Sequence, residues 1–185
     1  MSVPLQPTLW RTCRVIANRT RLQMLALLFE QPGQTVSAVA TRLKQPLSIT
    51  SEYLRSLEAR GLLMVRHVGS RVVYRPSPAA TDAPGPALSA ALGLAFKRET
   101  SPGETVFKLA TAFTHPRRIE IFRALQGAPR RVEELQETTH IPYWPLLRHL
   151  HKLEKRGFVV CQEEAYSTVK RNDPFGRELA RWAAK

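Results

Sequence analysis

The sequence predicts a mainly α-helical fold with small β-hairpins, an α+β class in which one set of elements occurs twice. Three observations predict it. The chain of 185 residues matches itself when it is shifted by 96 or 97 positions. Each matching segment carries helical spacing of apolar residues, followed by two short β-type runs. A stretch rich in Pro and Ala lies between the two segments.

The self-match falls at apolar, Pro and Gly positions, which a shared fold constrains. A shift of 96 pairs Val36 with Val132, Pro46 with Pro142, Leu54 with Leu150, Leu57 with Leu153, Glu58 with Glu154, Arg60 with Arg156 and Gly61 with Gly157. Upstream, a shift of 97 pairs Arg21 with Arg118, Leu28 with Leu125 and Pro32 with Pro129. One extra residue near Gly33 accounts for the change of offset, so we expect a surface turn there.

The stretch between the copies covers residues 77–86 and reads Ser-Pro-Ala-Ala-Thr-Asp-Ala-Pro-Gly-Pro. Pro and Gly disfavour helical hydrogen bonding, and small polar residues offer no core. This composition predicts a linker over 77–86, with a first domain over 1–76 and a second over 87–185.

In the first copy, Asn18 is expected to cap a helix and Thr35 to cap a second, short one. A third helix is predicted from Leu47 to Arg60, with Gly61 in the left-handed position that closes it. The runs 62–66 and 71–75 then predict a β-hairpin with a Gly-Ser tip.

The second copy repeats this order. Its short helix is predicted from Val132 to Thr138, its third helix from Trp144 to Arg156, and its shorter hairpin around Glu163 and Glu164. Further helices are predicted outside the repeats, over Leu9–Ile16, Leu88–Phe96, Val106–Phe113 and Asp173–Ala184.

Helix, helix, turn, helix and hairpin is the order of a winged helix-turn-helix, so two such domains in tandem are expected. The segment from Asn18-Arg19-Thr20-Arg21-Leu22 through Tyr74 resembles the ArsR-like winged-helix repressors of bacteria and archaea. The segment from His115-Pro116-Arg117-Arg118-Ile119 through Val169 resembles them more distantly.

The resemblance implies a DNA-binding transcriptional regulator that acts as a repressor. Members of the family dimerise through helices that flank the winged helix. The additional helices of this chain occupy those places, which implies a monomer folded as an intramolecular pseudo-dimer; a homodimer stays open. Metal-sensing members carry Cys or His clusters that this sequence lacks, so metal sensing is not implied.

The net charge also indicates a polyanionic partner. The chain has 28 Lys and Arg against 15 Asp and Glu, a net charge of +13. Before Pro86 there are 11 basic and 4 acidic residues, and after it 17 and 11, so the two halves carry +7 and +6. Since no single tail supplies the excess, the charge favours a nucleic acid over an anionic membrane as the partner, and the resemblance makes that nucleic acid double-stranded DNA.

Base recognition is expected from the outer face of the first copy's third helix, because its apolar side faces the core and a helix fits the major groove. The wing of that copy adds arginines suited to phosphate. The predicted DNA-binding residues of the first copy are Ser48, Ile49, Ser51, Glu52, Arg55, Arg66, Arg71 and Arg75. A solvated surface with no ligand is the alternative interpretation for each of them.

The second copy departs from this pattern. Arg148, His151, Lys152 and Lys170 suit DNA, but Glu163 and Glu164 in the wing would repel phosphate. Tyr143 and Trp144 are unusual on a surface that contacts bases, and they are expected to cover the core or to form an interface with a protein partner. The first copy is therefore expected to be the stronger DNA reader.

Two other functions fit the sequence less well. An enzyme is disfavoured, because no histidine of the chain lies in a nucleophile, metal or phosphate-loop motif, and no cofactor is expected. A protein-interaction or chromosome-architecture module is the main alternative, since tandem winged helices also bind proteins.

The remaining features indicate a cytoplasmic, nucleoid-associated protein. Cys13 and Cys161 are far apart in sequence and are expected to be ordinary reduced thiols. The first residues lack the pattern of a signal peptide, and no apolar run has the length of a membrane span.

Overall fold

A computed structural model describes residues 8–79, 82–98 and 102–185. Within these residues the chain is mainly helical with two small antiparallel hairpins, which confirms the predicted fold class. The elements in chain order are α1 (Leu9–Ile16), α2 (Arg19–Glu30), α3 (Val36–Leu43), α4 (Leu47–Glu58), β1 (Leu63–Val68), β2 (Arg71–Pro76), α5 (Pro84–Arg98), α6 (Pro102–Ala110), a 3-10 turn (Thr111–Phe113), α7 (Pro116–Ala124), β3 (Arg130–Arg131), α8 (Val132–Thr139), α9 (Tyr143–Lys155), β4 (Val159–Gln162), β5 (Ala165–Thr168) and α10 (Pro174–Ala184).

One order of elements occurs twice along the chain. Residues 9–98, here called the first unit, run α1, α2, α3, α4, β1, β2, α5. Residues 102–184, the second unit, run α6, α7, α8, α9, β4, β5, α10, with the short strand β3 added before α8. The helix α5 therefore follows the first hairpin as α10 follows the second.

Backbone geometry recurs at the offset found in the sequence. The non-glycine residues Lys44 and His140 both adopt a left-handed conformation, with φ of 51° and 52°. Gly61 and Gly157 follow α4 and α9 with φ of 69° and 72°, which confirms the left-handed position predicted for Gly61. A left-handed residue is common just beyond a helix, where it lets the chain turn away.

The predicted helix caps of the first unit are confirmed. The Asn18 side-chain oxygen accepts from the backbone N–H of Arg21 at 3.0 Å, and Thr35 Oγ1 accepts from that of Ala38 at 3.2 Å. Each cap satisfies one amide that a helix start leaves without a partner. The caps therefore fix where α2 and α3 begin.

Both hairpins close through two-residue turns. β1 extends to Val68, further than predicted, so that only Gly69 and Ser70 form the first turn. Gly69 has φ +59°, and in the second turn Glu163 and Glu164 have φ of 48° and 64°. Positive φ in these turns matches the twist of the flanking strands.

In each unit, backbone pairing ties the hairpin to the segment before the short helix, which is α3 in the first unit and α8 in the second. In the first unit, Tyr74 N–H donates to Gln34 O at 2.9 Å, and Gly33 N–H donates to Tyr74 O at 2.9 Å. In the second unit, β3 pairs with β5, bringing Arg130 opposite Tyr166. The sequence analysis did not predict β3, because a strand of two residues carries no periodicity.

The predicted linker is wrong at its end, because residues 84–86 belong to α5. Proline is tolerated in the first turn of a helix, where its missing N–H needs no partner. Pro84 and Gly85 are buried, and a Cβ on Gly85 would lie 1.8 Å from the carbonyl oxygen of Arg60. The predicted boundary between 86 and 87 therefore falls inside a packed helix.

The flanking helices join the two units. α5 packs against α10, and α1 packs against α6 and the 3-10 turn that follows it. The buried apolar side chains of the described residues form one continuous cluster, which includes Leu54 of α4, Leu92 of α5, Leu150 of α9 and Leu179 of α10. Among the described residues, no helix combines the length and apolarity that crossing a membrane requires.

The start of α5 provides a test of this packing. Gly85→Ala places a methyl group against the backbone of Arg60, so we expect the free energy of unfolding to fall by about 1–3 kcal/mol, as for other overpacked sites. The measurement is urea unfolding followed by circular dichroism.

Gly103→Ala is the matched control, since Gly103 is also the second residue of a flanking helix but has open space around its Cβ position. There alanine should be neutral or stabilise by up to about 1 kcal/mol. A Gly85→Ala protein as stable as wild type would contradict the close approach of α5 to α4.

Candidate nucleic-acid interface

The outer surface of α4 is available to a ligand. Thr50, Leu54 and Leu57 are buried, as predicted, and the Thr50 hydroxyl donates to Pro46 O at 3.0 Å. On the remaining sides of the helix, Ser48, Glu52 and Arg55 are exposed, and Ile49 and Ser51 are half-buried. The side chains predicted to contact bases therefore reach solvent.

A groove of about 750 Å³ lies between α4, the start of α3 and the wing. It brings together four of the predicted DNA-binding residues. Its lining consists of Thr35, Val36, Ser37, Leu47, Ser48, Ser51, Arg55, Arg71 and Val72. Glu52 and Ile49 do not line this groove, and neither do Arg66 and Arg75.

Arg55 lies back along its own helix. Its Nη2 donates to Ser51 Oγ at 3.0 Å, and its Nε donates to Ser51 O at 3.4 Å. The guanidinium is exposed and has no carboxylate within ion-pair distance among the described residues. It can therefore exchange these contacts for a base edge or a phosphate, because a planar fork of N–H donors suits either.

The three wing arginines are exposed and share one face of the hairpin. Arg66 pairs with Val73, Arg71 with Val68, and Arg75 with Met64 in the ladder. Since side chains alternate between faces along a strand, these pairs all lie on the same face. Arg71 alone of the three borders the groove, while Arg66 and Arg75 extend the basic surface along the wing.

Two hydroxyl-bearing residues are among the five groove residues that were not predicted as binding residues. Thr35 and Ser37 stand at the start of α3, and their hydroxyl oxygens are 3.0 Å apart. Thr35 was identified in sequence only as a cap, and its closeness to α4 depends on how α3 packs. Together with Ser48 and Ser51, they line the groove with hydroxyl groups.

The second unit presents a different surface at the same place. Trp144 is 77% exposed and Tyr143 is 41% exposed, and their rings meet edge to face with centroids 5.3 Å apart. The prediction that they cover the core is therefore wrong, since the first turn of α9 extends beyond the packed region. A role in a partner interface stays a prediction.

The other residues predicted to bind DNA in the second unit are spread out. Arg148 and His151 are exposed on α9, Lys152 is half-buried, and Lys170 is exposed beyond β5. In the wing turn, Glu164 lies 3.9 Å from Arg131.

Two histidines, His115 and His149, meet where α9 packs against α7. The His115 ring caps α7 by accepting from Arg117 N–H at 3.2 Å and stacks on His149, with centroids 4.7 Å apart. Burial is the main cause that lowers the pKa of His149 to about 4, followed by the nearby His115, Arg118, Arg117 and Arg148. Burial and neighbouring arginines also lower the pKa of His115.

The two cysteines are unpaired and differ in environment. Cys13 is buried in the core, where desolvation raises the pKa of its thiol, and Cys161 is exposed. Within the described residues, no group of three or more His, Cys, Asp and Glu side chains is arranged to hold a metal ion.

The chain has a distant similarity to a known protein. No known family profile matches the chain. Over 157 residues, the chain is 24% identical to an uncharacterized HTH-type transcriptional regulator of Methanocaldococcus jannaschii. The matched region is 84% of this chain but 34% of the relative, so the chain spans about a third of that protein's length.

The buried histidine predicts an acid-sensitive fold. Because the pKa of His149 is about 4 in the fold against an ordinary 6.5, the fold favours the neutral ring. The free energy of unfolding therefore includes the full contribution of the neutral His149 ring above about pH 6.5, and this contribution is lost as the pH falls towards 4. Urea unfolding at pH 7.5 and pH 5 should therefore show a larger loss in wild type than in His149→Gln.

His67→Gln is the control, because His67 is exposed on the wing. It should lose stability with acid as wild type does. If His149→Gln lost as much stability as wild type between the two pH values, the buried ring would not be the acid-sensitive group.

Proposed function

We propose that this protein is a sequence-specific regulator of transcription that binds double-stranded DNA through two tandem winged helix-turn-helix domains. The groove on the first unit is the observation that carries the proposal. Hydroxyl groups and two arginines line it, and none of the described lining residues is acidic. Such a lining offers donors to base edges and positive charge to phosphates.

In this proposal, α4 enters the major groove. Arg55 pairs with guanine or with a phosphate, Ser48 and Ser51 exchange hydrogen bonds with base edges, and Glu52 accepts from cytosine. Ile49 supplies apolar contact on the same surface. The wing arginines Arg66, Arg71 and Arg75 neutralise phosphates on either side.

Two further observations support a regulator. The distant relative is named as a helix-turn-helix regulator, and the chain carries a net charge of +13. The resemblance to ArsR-like repressors adds repression as the outcome, acting in the cytoplasm at the nucleoid.

The two units have unequal roles in this proposal. The first unit reads sequence, and the second is a degenerate reader whose outer face also suits a protein partner. The pairing of α5 with α10 and of α1 with α6 supports an intramolecular pseudo-dimer, in which flanking helices hold the units together. One chain then provides both halves of a DNA-binding assembly.

A protein-interaction role for the second unit has its own support. Trp144 is among the most exposed large apolar side chains of the described residues, and Tyr143 packs beside it. Exposed aromatic side chains are enriched at protein interfaces. This role adds to DNA binding by the first unit and does not replace it.

Fluorescence anisotropy tests the main proposal. Wild type should bind a duplex from upstream of its own gene more tightly than a scrambled duplex, and binding should weaken steeply with salt. Arg55→Ala should reduce the preference for the native duplex, by about 1–3 kcal/mol if its partner is a base. Arg71→Ala should weaken both duplexes alike and lower the slope of log K against log salt by about 1.

Arg177→Gln removes one exposed arginine from α10 and serves as the matched charge control. Its preference for the native duplex should equal that of wild type. No binding of wild type to either duplex at low salt would overturn the proposal and favour the protein-interaction role, with Tyr143 and Trp144 as the first surface to test.

The symmetry of the preferred DNA sequence is a separate prediction. Two third helices that contact one side of a duplex are spaced about one helical turn apart, roughly 34 Å. Because the two units present different side chains, sites selected from a random library should be asymmetric or imperfect repeats. Recovery of a perfect palindrome would instead indicate that two chains bind together.

A further inference from the structure

The second unit carries a concentration of positive charge away from its wing. We propose that the chain contacts the phosphate backbone of duplex DNA beside the second unit, through a basic strip made of Arg14 of α1 and of Arg117, Arg148 and Lys152 of the second unit, along the side of α9 that faces α7. The inference rests on the proposed function and adds a second, sequence-independent contact to it.

The histidine pair locates the strip. His115 begins α7 and His149 lies in the middle of α9, so their stacking at 4.7 Å brings these two places together. Arg117 follows His115 by two residues, and Arg148 directly precedes His149. The side chains of Arg117 and Arg148 are both exposed, and they extend from this junction into solvent.

Arg14 reaches the same place from α1. It is exposed in the last turn of that helix, with its guanidinium carbon 5.7 Å from the centre of the Trp10 ring. α1 packs against the 3-10 turn that leads into His115, and Arg14 is among the arginines that lower the pKa of His115. The strip therefore combines side chains from three helices.

The charged groups that act on His115, His149 and Lys152 are all basic. After burial, the causes that lower the pKa of His149 are His115, Arg118, Arg117 and Arg148, and those acting on His115 are Arg118, Arg117, Arg14 and Arg148. Burial, Arg156, Arg118 and Lys155 lower the pKa of Lys152. Among the described residues, no carboxylate appears in any of these sets.

Arg118 stabilises the fold through internal hydrogen bonds and is not part of the strip. It is half-buried, with its Nε donating to Ala112 O at 2.5 Å and its Nη2 to Thr114 Oγ1 at 2.6 Å. Arg14, Arg117 and Arg148 have no ion pair among the described residues. Like charges held close together repel one another, and a bound anion relieves that repulsion.

The first unit lacks such a strip at the corresponding positions. At the offsets of the repeat, Arg117, Arg148 and Lys152 correspond to Thr20, Glu52 and Ser56. A strip of cations is therefore not a requirement of the fold.

The hydroxyl groups that line the groove of the first unit are replaced by other side chains in the second unit. Ser37, Ser48 and Ser51 line the groove of the first unit, and their counterparts are Glu133, Trp144 and Leu147. At these three positions the second unit thus has no hydroxyl side chain, and it carries cations on the α7 side. Cations without base-reading partners suit phosphate, which carries charge but no sequence information.

Salt dependence of binding to native and scrambled duplexes tests the strip. The double variant Arg117→Gln/Arg148→Gln should lower the slope of log K against log salt by about 2, since each phosphate contact contributes about 0.9. The loss should be equal for both duplexes. Arg117→Lys/Arg148→Lys should keep the wild-type slope, because a phosphate accepts a point charge.

Arg123→Gln/Arg177→Gln is the matched control, since both arginines are exposed and neither acts on the histidine pair. Thermal unfolding of all variants checks that they fold. If the strip variant had the slope of this control while Arg71→Ala still lowered it, the strip would be refuted and the proposed function would stand.

The opposite result is also informative. If Arg55→Ala and Arg71→Ala bound as wild type and the strip variant lost its salt dependence, the strip would stand and the role of the first unit would be wrong. Absence of any duplex binding by wild type at low salt would overturn both.

Discussion

The packing of α5 against α10 determines how the rest of the molecule is arranged. Each of these helices follows the wing of its own unit and meets the other at the centre of the chain. Leu88 and Leu92 of α5 and Leu179 of α10 are fully buried in the shared core. Because α1 and α6 join the same core, each third helix is held in place through its own unit and through the flanking helices.

Within this arrangement, the two units keep the same interior and differ at the surface. Leu54 and Leu150 occupy corresponding core positions, and Gly61 and Gly157 end the third helices in the same backbone conformation. At the outer face, Ser48 corresponds to Trp144 and Glu52 to Arg148. Interior positions are constrained by close packing, whereas exposed positions are free to acquire different partners.

Much of the fold could be predicted because its signals are local. Asn18 and Thr35 act on amides three residues away, and the glycine after each third helix meets a requirement of the backbone itself. The groove was predicted in part, since Ser48 and Arg55 follow from helical periodicity.

What could not be predicted depends on tertiary contacts. Arg14 and Arg117 join Arg148 only because α1 packs on the 3-10 turn before α7 and α7 packs on α9, and the proline-rich start of α5 is helical because it packs on the end of α4. Composition alone predicts a linker for that segment.

The continuity of the core has a genetic consequence. In an assembly of separate identical subunits, an altered copy can pair with a normal one and disable it, and dilution separates the subunits. Where both units belong to one chain, as in the proposed pseudo-dimer, their effective concentration is fixed by the covalent connection. In such a pseudo-dimer, the product of an altered allele does not pair with the normal product. Each unit can also acquire surface substitutions while the sequence of the other stays unchanged.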